Sequence, residues 1–308
     1  MATKNSAGTS IVVAYQDNEN HYGGPTSAPY IVSAPASSLN FGSRTRLVPS
    51  SEAGIWAPVG LASRGSRYAV LLTATDPRRG FVSVSTSLTS WTTRTEISWG
   101  HSGTWIMPCH LAWVENGSTN GLLLATAYTG TSAATANGVL IAASHDNGAT
   151  WERWARAGAG NAGWTESTIC QLPSGTLLML QRKDTGVNSD TIHARWSSDY
   201  GKTWTAAIPV VPRTSGMPTP TVLTSGTVVA TVRDLAGPAH ESWSLIVSHD
   251  GGQTWSKWPV SADWMMYGEI VQRNDGTLVL VGAHQHRDST VRADTWARPL
   301  TAVTIEPN

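Results

Sequence analysis

The sequence predicts an all-β chain folded as one six-bladed β-propeller of four-stranded antiparallel blades, and three observations carry that prediction. A turn of the form Ser-x-Asp-x-Gly-x-Thr-Trp occurs three times, as SHDNGATW from Ser144, SSDYGKTW from Ser197 and SHDGGQTW from Ser248, with starts 53 and 51 residues apart. A glycine followed by an apolar run occurs six times, at Gly8, Gly65, Gly121, Gly175, Gly226 and Gly276. Helical periodicity is nearly absent. Four short strands repeated radially hide all but short edges, and six copies use the whole of residues 1–308 as a single domain.

The local chemistry of each element agrees. In the Asp-type turn, Asp accepts hydrogen bonds from turn amides, Gly supplies a positive φ, and Thr and Trp begin the next strand. The glycines of the second series open hairpins, and Asn, Asp or Ser precedes several of them. Worn copies of the Asp-type turn stand in YIVSAPASSLNF, FVSVSTSLTSW and TVRADTWARPL. Fifteen Trp against two Phe points to one structural use of Trp made many times. The first repeat has little room for an innermost strand, so the two termini are expected to share one blade.

Composition narrows the partners. Lys and Arg number 21, Asp and Glu 21, so the formal charge is zero and no basic footprint for nucleic acid or anionic lipid exists. No apolar run approaches the ~18 residues of a membrane span, so no membrane insertion is expected. The start, MATKNSAGTSIVVAYQD, has no basic segment followed by an apolar core, so no signal peptide is visible, and an extracellular or virion-associated setting is favoured over a cytoplasmic one. Cys109 and Cys170 fall in strands and read as buried free thiols. The Asp-type turn lacks the alternating oxygens of a calcium loop, and His284-x-His286 has no placed third ligand. No metal and no cofactor is expected.

Topology separates scaffold from site. With strands lettered a to d from the axis outward, the a–b hairpins and the Asp-type turns share one face, and the starts of a and ends of b share the other. Nine residues before Gly175, Gly226, Gly276 and Gly65 stand Glu166, Met217, Tyr267 and Trp56; seven after Gly175 and Gly226 stand Arg182 and Arg233, with Asp184 and Asp234 close behind. A carboxylate, a phenol and two guanidiniums are thus expected at one end of the axis. His101, His110, His240, His284 and His286 fall near the same face, as do Trp99, Trp105, Trp164, Trp243 and Trp264.

These motifs resemble the sialidase (neuraminidase) superfamily, whose six-bladed propellers carry Asp boxes, also called BNR repeats. WTESTICQLPSGTLLMLQR is similar to the segment holding the family's catalytic glutamate and second arginine, which implies those roles for Glu166 and Arg182. YGEIVQRNDGTLVLV is similar to the segment of the tyrosine nucleophile, which implies that role for Tyr267; Asp76, in LLTATDPRRG, matches the acid. The family's other two arginines have no counterpart: the first place reads WAP, with Trp56, and the third, in PAHESWSLIVSHDGG, offers His240. Arg233, Arg78 and Arg79 are expected on the same face and are candidates to replace them, and Trp56 is expected to give a sugar a stacking face in place of a charge clamp. The resemblance implies an exo-glycosidase-like protein acting on or binding terminal sugars of a glycan, with an incomplete arginine set for sialic acid. Two alternatives stand beside it. One is a non-catalytic glycan-binding propeller in a larger assembly such as a bacteriophage tail or an adhesin, and the other a histidine-dependent sugar lyase.

Overall fold

The structure is a computed structural model that describes the chain apart from residues 6, 18–27, 53–55, 75–78, 101–105, 119–120, 130–136, 185–189, 236–241, 262–264, 285–302 and 306–308. The side chains of residues 17, 137, 159–162, 242–243, 259–261, 265–267, 282–284 and 303–305 are also outside the description. Among the described residues six antiparallel sheets follow one another along the chain, five of four strands and a sixth of three. Blade 1 holds Ala2–Lys4, Ser10–Asp17, Ala28–Pro35 and Thr45–Arg46; blade 2 holds Trp56–Arg64, Arg67–Ala74, Gly80–Ser85 and Thr95–Glu96. Blade 3 holds Ile106–Val114, Leu122–Thr129, Asn137–Ser144 and Glu152–Ala162; blade 4 holds Trp164–Gln171, Leu177–Lys183, Thr191–Ser197 and Ile208–Pro209. Blade 5 holds Thr214–Val222, Val228–Asp234, Ser242–Ser248 and Ser256–Ser261, and blade 6 holds Met265–Gln272, Leu278–His284 and Val303–Ile305.

The apolar runs of the b strands explain why these sheets form a ring. Successive side chains of a strand point to opposite faces, so each b strand fills two seams. In blade 4, Leu177 and Met179 pack with Leu122, Leu124 and Ile141 of blade 3, whereas Leu178 and Leu180 pack with Val228 and Ala230 of blade 5. In blade 6, Leu278 and Leu280 join Val229 of blade 5, and Val279 and Val281 join Ile11 and Val13 of blade 1. Each of six buried clusters is one seam between consecutive blades, the last joining blade 6 to blade 1. The a strands also touch their neighbours all the way round. Buried apolar area of this kind supplies the main folding drive.

Closure departs from the expectation that the termini share a blade. Asn5 turns the chain within a few residues, its Oδ1 accepting the N–H groups of Thr9 and Ser10, so Ala2–Lys4 has room to be an a strand of its own against Ile11–Val13. The strand near the other terminus, Val303–Ile305, pairs within blade 6. The ring closes across the seam, where the Ala2 N–H donates to Glu269 and Lys4 Nζ to the Gln272 carbonyl at 3.3 Å.

The three Asp-type turns are built alike. Asp146, Asp199 and Asp250 each accept the N–H of a threonine four residues on at 2.8 or 2.9 Å and its hydroxyl at 2.6 Å. Trp151, Trp204 and Trp255 each donate the indole N–H to the carbonyl of the turn glycine. The worn copy in blade 2 keeps this last bond, from Trp91 to Leu88. Register places these turns at the same end as the a–b hairpins: Leu177 is opposite both Gln171 and Ser197. The other end is left for the site.

Candidate functional site at the strand ends of blades 4 to 6

The a strands of blades 4, 5 and 6 lose register near that free end. In blade 4, Trp164 pairs with Lys183 and Ser167 with Gln181, so Thr165 and Glu166 share one opposing residue, Arg182. The equivalent breaks lie between Ser215 and Thr219, enclosing Met217, and between Met266 and Glu269, enclosing Tyr267. A bulge bends its strand and re-aims the residues within it. The backbone of Tyr267 is therefore at the same place in blade 6 as Glu166 in blade 4; its side chain lies outside the described residues.

Arg182 organises what is described. Its Nη1 donates to Glu166 Oε2 at 3.0 Å, its Nε to Asp190 Oδ2 at 3.0 Å and its Nη2 to Asp184 Oδ2 at 3.2 Å; Asp190 Oδ2 is also 2.8 Å from Nη2. Ser215 of blade 5 donates its hydroxyl to Asp190 at 2.7 Å, tying the cluster across the seam. Burial alone would lower the pKa of Arg182, but Glu166, Asp190 and Asp184 outweigh it and raise the pKa above the ordinary guanidinium value. Beneath Glu166, burial pushes the Cys109 thiol up to about 12, opposed by backbone hydrogen bonds from Ser167 and Tyr128 and reinforced by the Glu166 charge. Both cysteines are free; Cys109 is buried and Cys170 half-buried.

Arg233 has the same place in blade 5 and different surroundings. It pairs across its sheet with Ser215 and Trp243. Its Nε is buried with no hydrogen-bond partner. Asp234 turns instead to Lys257 Nζ at 3.0 Å and Ser244 Oγ at 3.0 Å.

Trp56 is placed differently from the expectation of an open sugar-stacking face. It is only 8% exposed, in the seam of blades 1 and 2. Arg94, held by Glu52 at 2.6 Å, covers its ring at 4.6 Å, and Phe81 meets it edge-on at 4.8 Å. The reason is register: in blade 2 Trp56 is in the regular ladder opposite Ala74, and the break falls later, between Pro58 and Gly60. Trp99 and Trp164 are likewise buried, at 4% each. Arg79 pairs with Glu96 at 3.3 Å. His110 is half-buried, and its Nδ1 accepts the Ile169 N–H at 3.3 Å. Asp76, Arg78, His240, His101, His286, Trp105 and Trp264 lie outside the described residues, as do the side chains of His284 and Trp243.

Sequence reasoning missed Asp190 and Ser215. Asp190 immediately precedes the strand Thr191–Ser197 and Ser215 is the second residue of Thr214–Val222, but nothing in the local motif marks either.

Comparison with known proteins agrees with this architecture. The BNR repeat-like domain model matches residues 68–301. The chain belongs to that family. Among solved structures, this BNR-repeat propeller is similar to the K499G mutant of NanB sialidase from Streptococcus pneumoniae, with a TM-score of 0.72 and 10% identity over 96% of this chain and 66% of that one. It is similar to Hadza microbial sialidase Hz136, with a TM-score of 0.69 and 12% identity over 91% and 62%. Trypanosoma rangeli sialidase in complex with the inhibitor DANA gives 0.69 and 11% over 94% and 52%. The chain thus spans 62% and 52% of the last two relatives' lengths. A search of curated protein sequences finds no match.

Proposed function

We propose that this sialidase-like propeller engages the terminal sugar of a glycan at the free strand ends of blades 4 to 6 and hydrolyses its glycosidic bond with retention. The observation that carries the reading is the shared bulge, which gives Glu166 and the backbone of Tyr267 equivalent places beside the ends of the strands bearing Arg182 and Arg233. In this reading the Tyr267 phenol oxygen bonds to the anomeric carbon as its proton passes to Glu166, and Asp76 gives a proton to the departing oxygen. Water then attacks the same carbon, Asp76 takes its proton, and Tyr267 regains its own from Glu166. A phenol suits a sugar that carries a carboxylate at the reacting carbon, where an anionic nucleophile would be repelled. Arg182, Arg233, Arg78, His240 and Trp56 form the surrounding set, with Trp56 acting through packing. A carboxylate-bearing sugar would meet an arginine set that is incomplete by the family pattern.

One observation favours a second reading, a glycan-binding propeller without turnover. Arg182 already meets three carboxylates, which take four of its five N–H donors and leave one, on Nη1, for a substrate anion.

Release of an aryl leaving group from a panel of aryl glycosides separates the two. Hydrolysis by the wild type and a loss of about a thousandfold or more in Tyr267→Phe are expected. Turnover unchanged in that variant would remove Tyr267 from the nucleophile's role. Absence of turnover on every sugar, with retained binding to a glycan array, would establish the second reading.

A further inference from the structure

The face of blade 4 turned toward blade 3 carries a second polar cluster, separate from the Arg182 group. Alternation sends Gln181 and Lys183 of strand b, and their neighbours His193 and Arg195 of strand c, to this side of the sheet. They surround Trp164, which is 4% exposed. Lys183 Nζ lies 4.6 Å from its ring centroid and Arg195 Cζ 5.0 Å, and His193 meets it edge-on at 5.1 Å. Arg195 is 7% exposed, yet its hydrogen bonds go to neutral groups, the Gln181 side-chain oxygen at 2.6 Å and the Thr205 carbonyl at 2.7 Å. Among the described residues no carboxylate forms an ion pair with Lys183, His193 or Arg195.

Donors therefore outnumber acceptors in a buried place. The indole N–H of Trp164 and the amide nitrogen of Gln181 are both buried without a partner. Leaving a buried donor unmade costs about 1–3 kcal/mol. Two donors converge beside Gly158, which has a φ of +69°: a Cβ there would stand 3.0 Å from Trp164 Nε1 and 3.1 Å from Arg195 Nη2. Only glycine at 158 lets the two donors come this close to the backbone. Burial, reinforced by the charges of Lys183 and Arg195, holds His193 below its ordinary pKa against its bond to the Thr191 carbonyl, as an uncompensated positive site requires.

We propose that the seam between blades 3 and 4 binds a small oxyanion, sulfate, phosphate or carboxylate, through Trp164 Nε1 and Arg195 Nη2 in the positive field of Lys183. Charge-assisted hydrogen bonds of this kind are about twice as strong as neutral ones, and the anion would satisfy donors that the fold leaves unmade. The site does not depend on any turnover at the strand ends.

Titration calorimetry with inorganic sulfate, glucose 6-sulfate and glucose tests it. Wild type is expected to bind both sulfates; Arg195→Gln should weaken them by about tenfold or more, and Trp164→Phe, which keeps a ring but removes the N–H, by a smaller factor. Tighter binding of glucose 6-sulfate than of sulfate assigns the anion to a sugar, and the reverse order assigns a free ion. Should Arg195→Gln fail to fold, a selenate soak of wild-type crystals locates the anion by anomalous scattering. No sulfate binding, equal binding in wild type and a folded Arg195→Gln, or selenate found only outside this seam would overturn the proposal.

Discussion

Blade 4 holds a largely buried arginine on each of its two faces, and the two are treated in opposite ways. Toward blade 5, Arg182 meets three carboxylates and, through Asp190, a serine of the neighbouring blade. Toward blade 3, Arg195 meets an amide oxygen, a backbone carbonyl and the face of Trp164. Burial lowers the pKa of Arg195 with nothing to offset it, whereas the carboxylates reverse that effect at Arg182. The same side chain is thus a structural hub on one face and an uncompensated charge on the other. A guanidinium enclosed by anions has little left to offer a ligand, while one packed among neutral groups keeps its field.

The largest effect should follow from emptying the hub. Arg182→Met leaves Glu166, Asp184 and the 5%-exposed Asp190 facing one another without a cation. Removing one partner of such a group destabilises by about 3 kcal/mol or more. Urea unfolding should show a lowered midpoint with an unchanged slope. A loss below about 1 kcal/mol would mean that solvent already screens the cluster and that the two faces differ less than their geometry implies.

Acid should separate the faces next. The inner strands of blades 3 and 4 are joined where His110 accepts the Ile169 N–H, whereas those of blades 4 and 5 are joined by the Thr168 hydroxyl on the Pro218 carbonyl. Only the first bond titrates. Burial drives the His110 pKa down to about 4, while an unfolded histidine has about 6.5. Between those values the unfolded chain takes a proton that the folded chain refuses, so stability falls as pH drops from 6.5 toward 4, by at most about 3 kcal/mol. His193, on the same seam and also lowered, adds in the same direction. Against this, Glu269 is raised by burial, so its contribution declines as pH rises. Comparing wild type with His110→Gln isolates the effect: the advantage of wild type at pH 7 should shrink or reverse at pH 4.5. An equal gap at both values would show that His110 takes up its proton as readily in the folded chain as in the unfolded one, and would remove it as the acid-sensitive joint.

How much of this was readable beforehand depends on whether register intervenes. The b strands were legible because each apolar run serves two seams, and Leu177 to Leu180 follow that alternation without interruption. The Asp-type turns were legible because their hydrogen bonds close within four residues. Counting from Gly175 reached Glu166 and Arg182, which the bulge brings into contact. The same count from Gly65 reached Trp56, but there the break lies nearer the hairpin, between Pro58 and Gly60, so Trp56 stands in the regular ladder and its side chain went into the seam. Asp190, Ser215 and Arg195 escaped for another reason. Their partners belong to other strands or other blades, and only strand pairing fixes which of those meet.

The smallest effect on folding should come from Arg233, and its smallness is the point. Arg233 repeats the place of Arg182 one blade later, but its neighbour Asp234 is committed to Lys257 and Ser244, and its own Nε is buried without a partner. Replacing it with methionine removes a donor that the folded chain never satisfied and keeps the packing of the aliphatic stem. Unfolding free energy should therefore change by no more than about 0.5 kcal/mol, a surface-like value despite the half-buried position. Binding is where the change should appear: on a glycan array, Arg233→Met should lose signal for acidic terminal sugars and keep it for neutral ones. If the variant instead unfolds as readily as Arg182→Met, then Arg233 is a second hub, and the contrast between an occupied and an available arginine does not extend beyond blade 4.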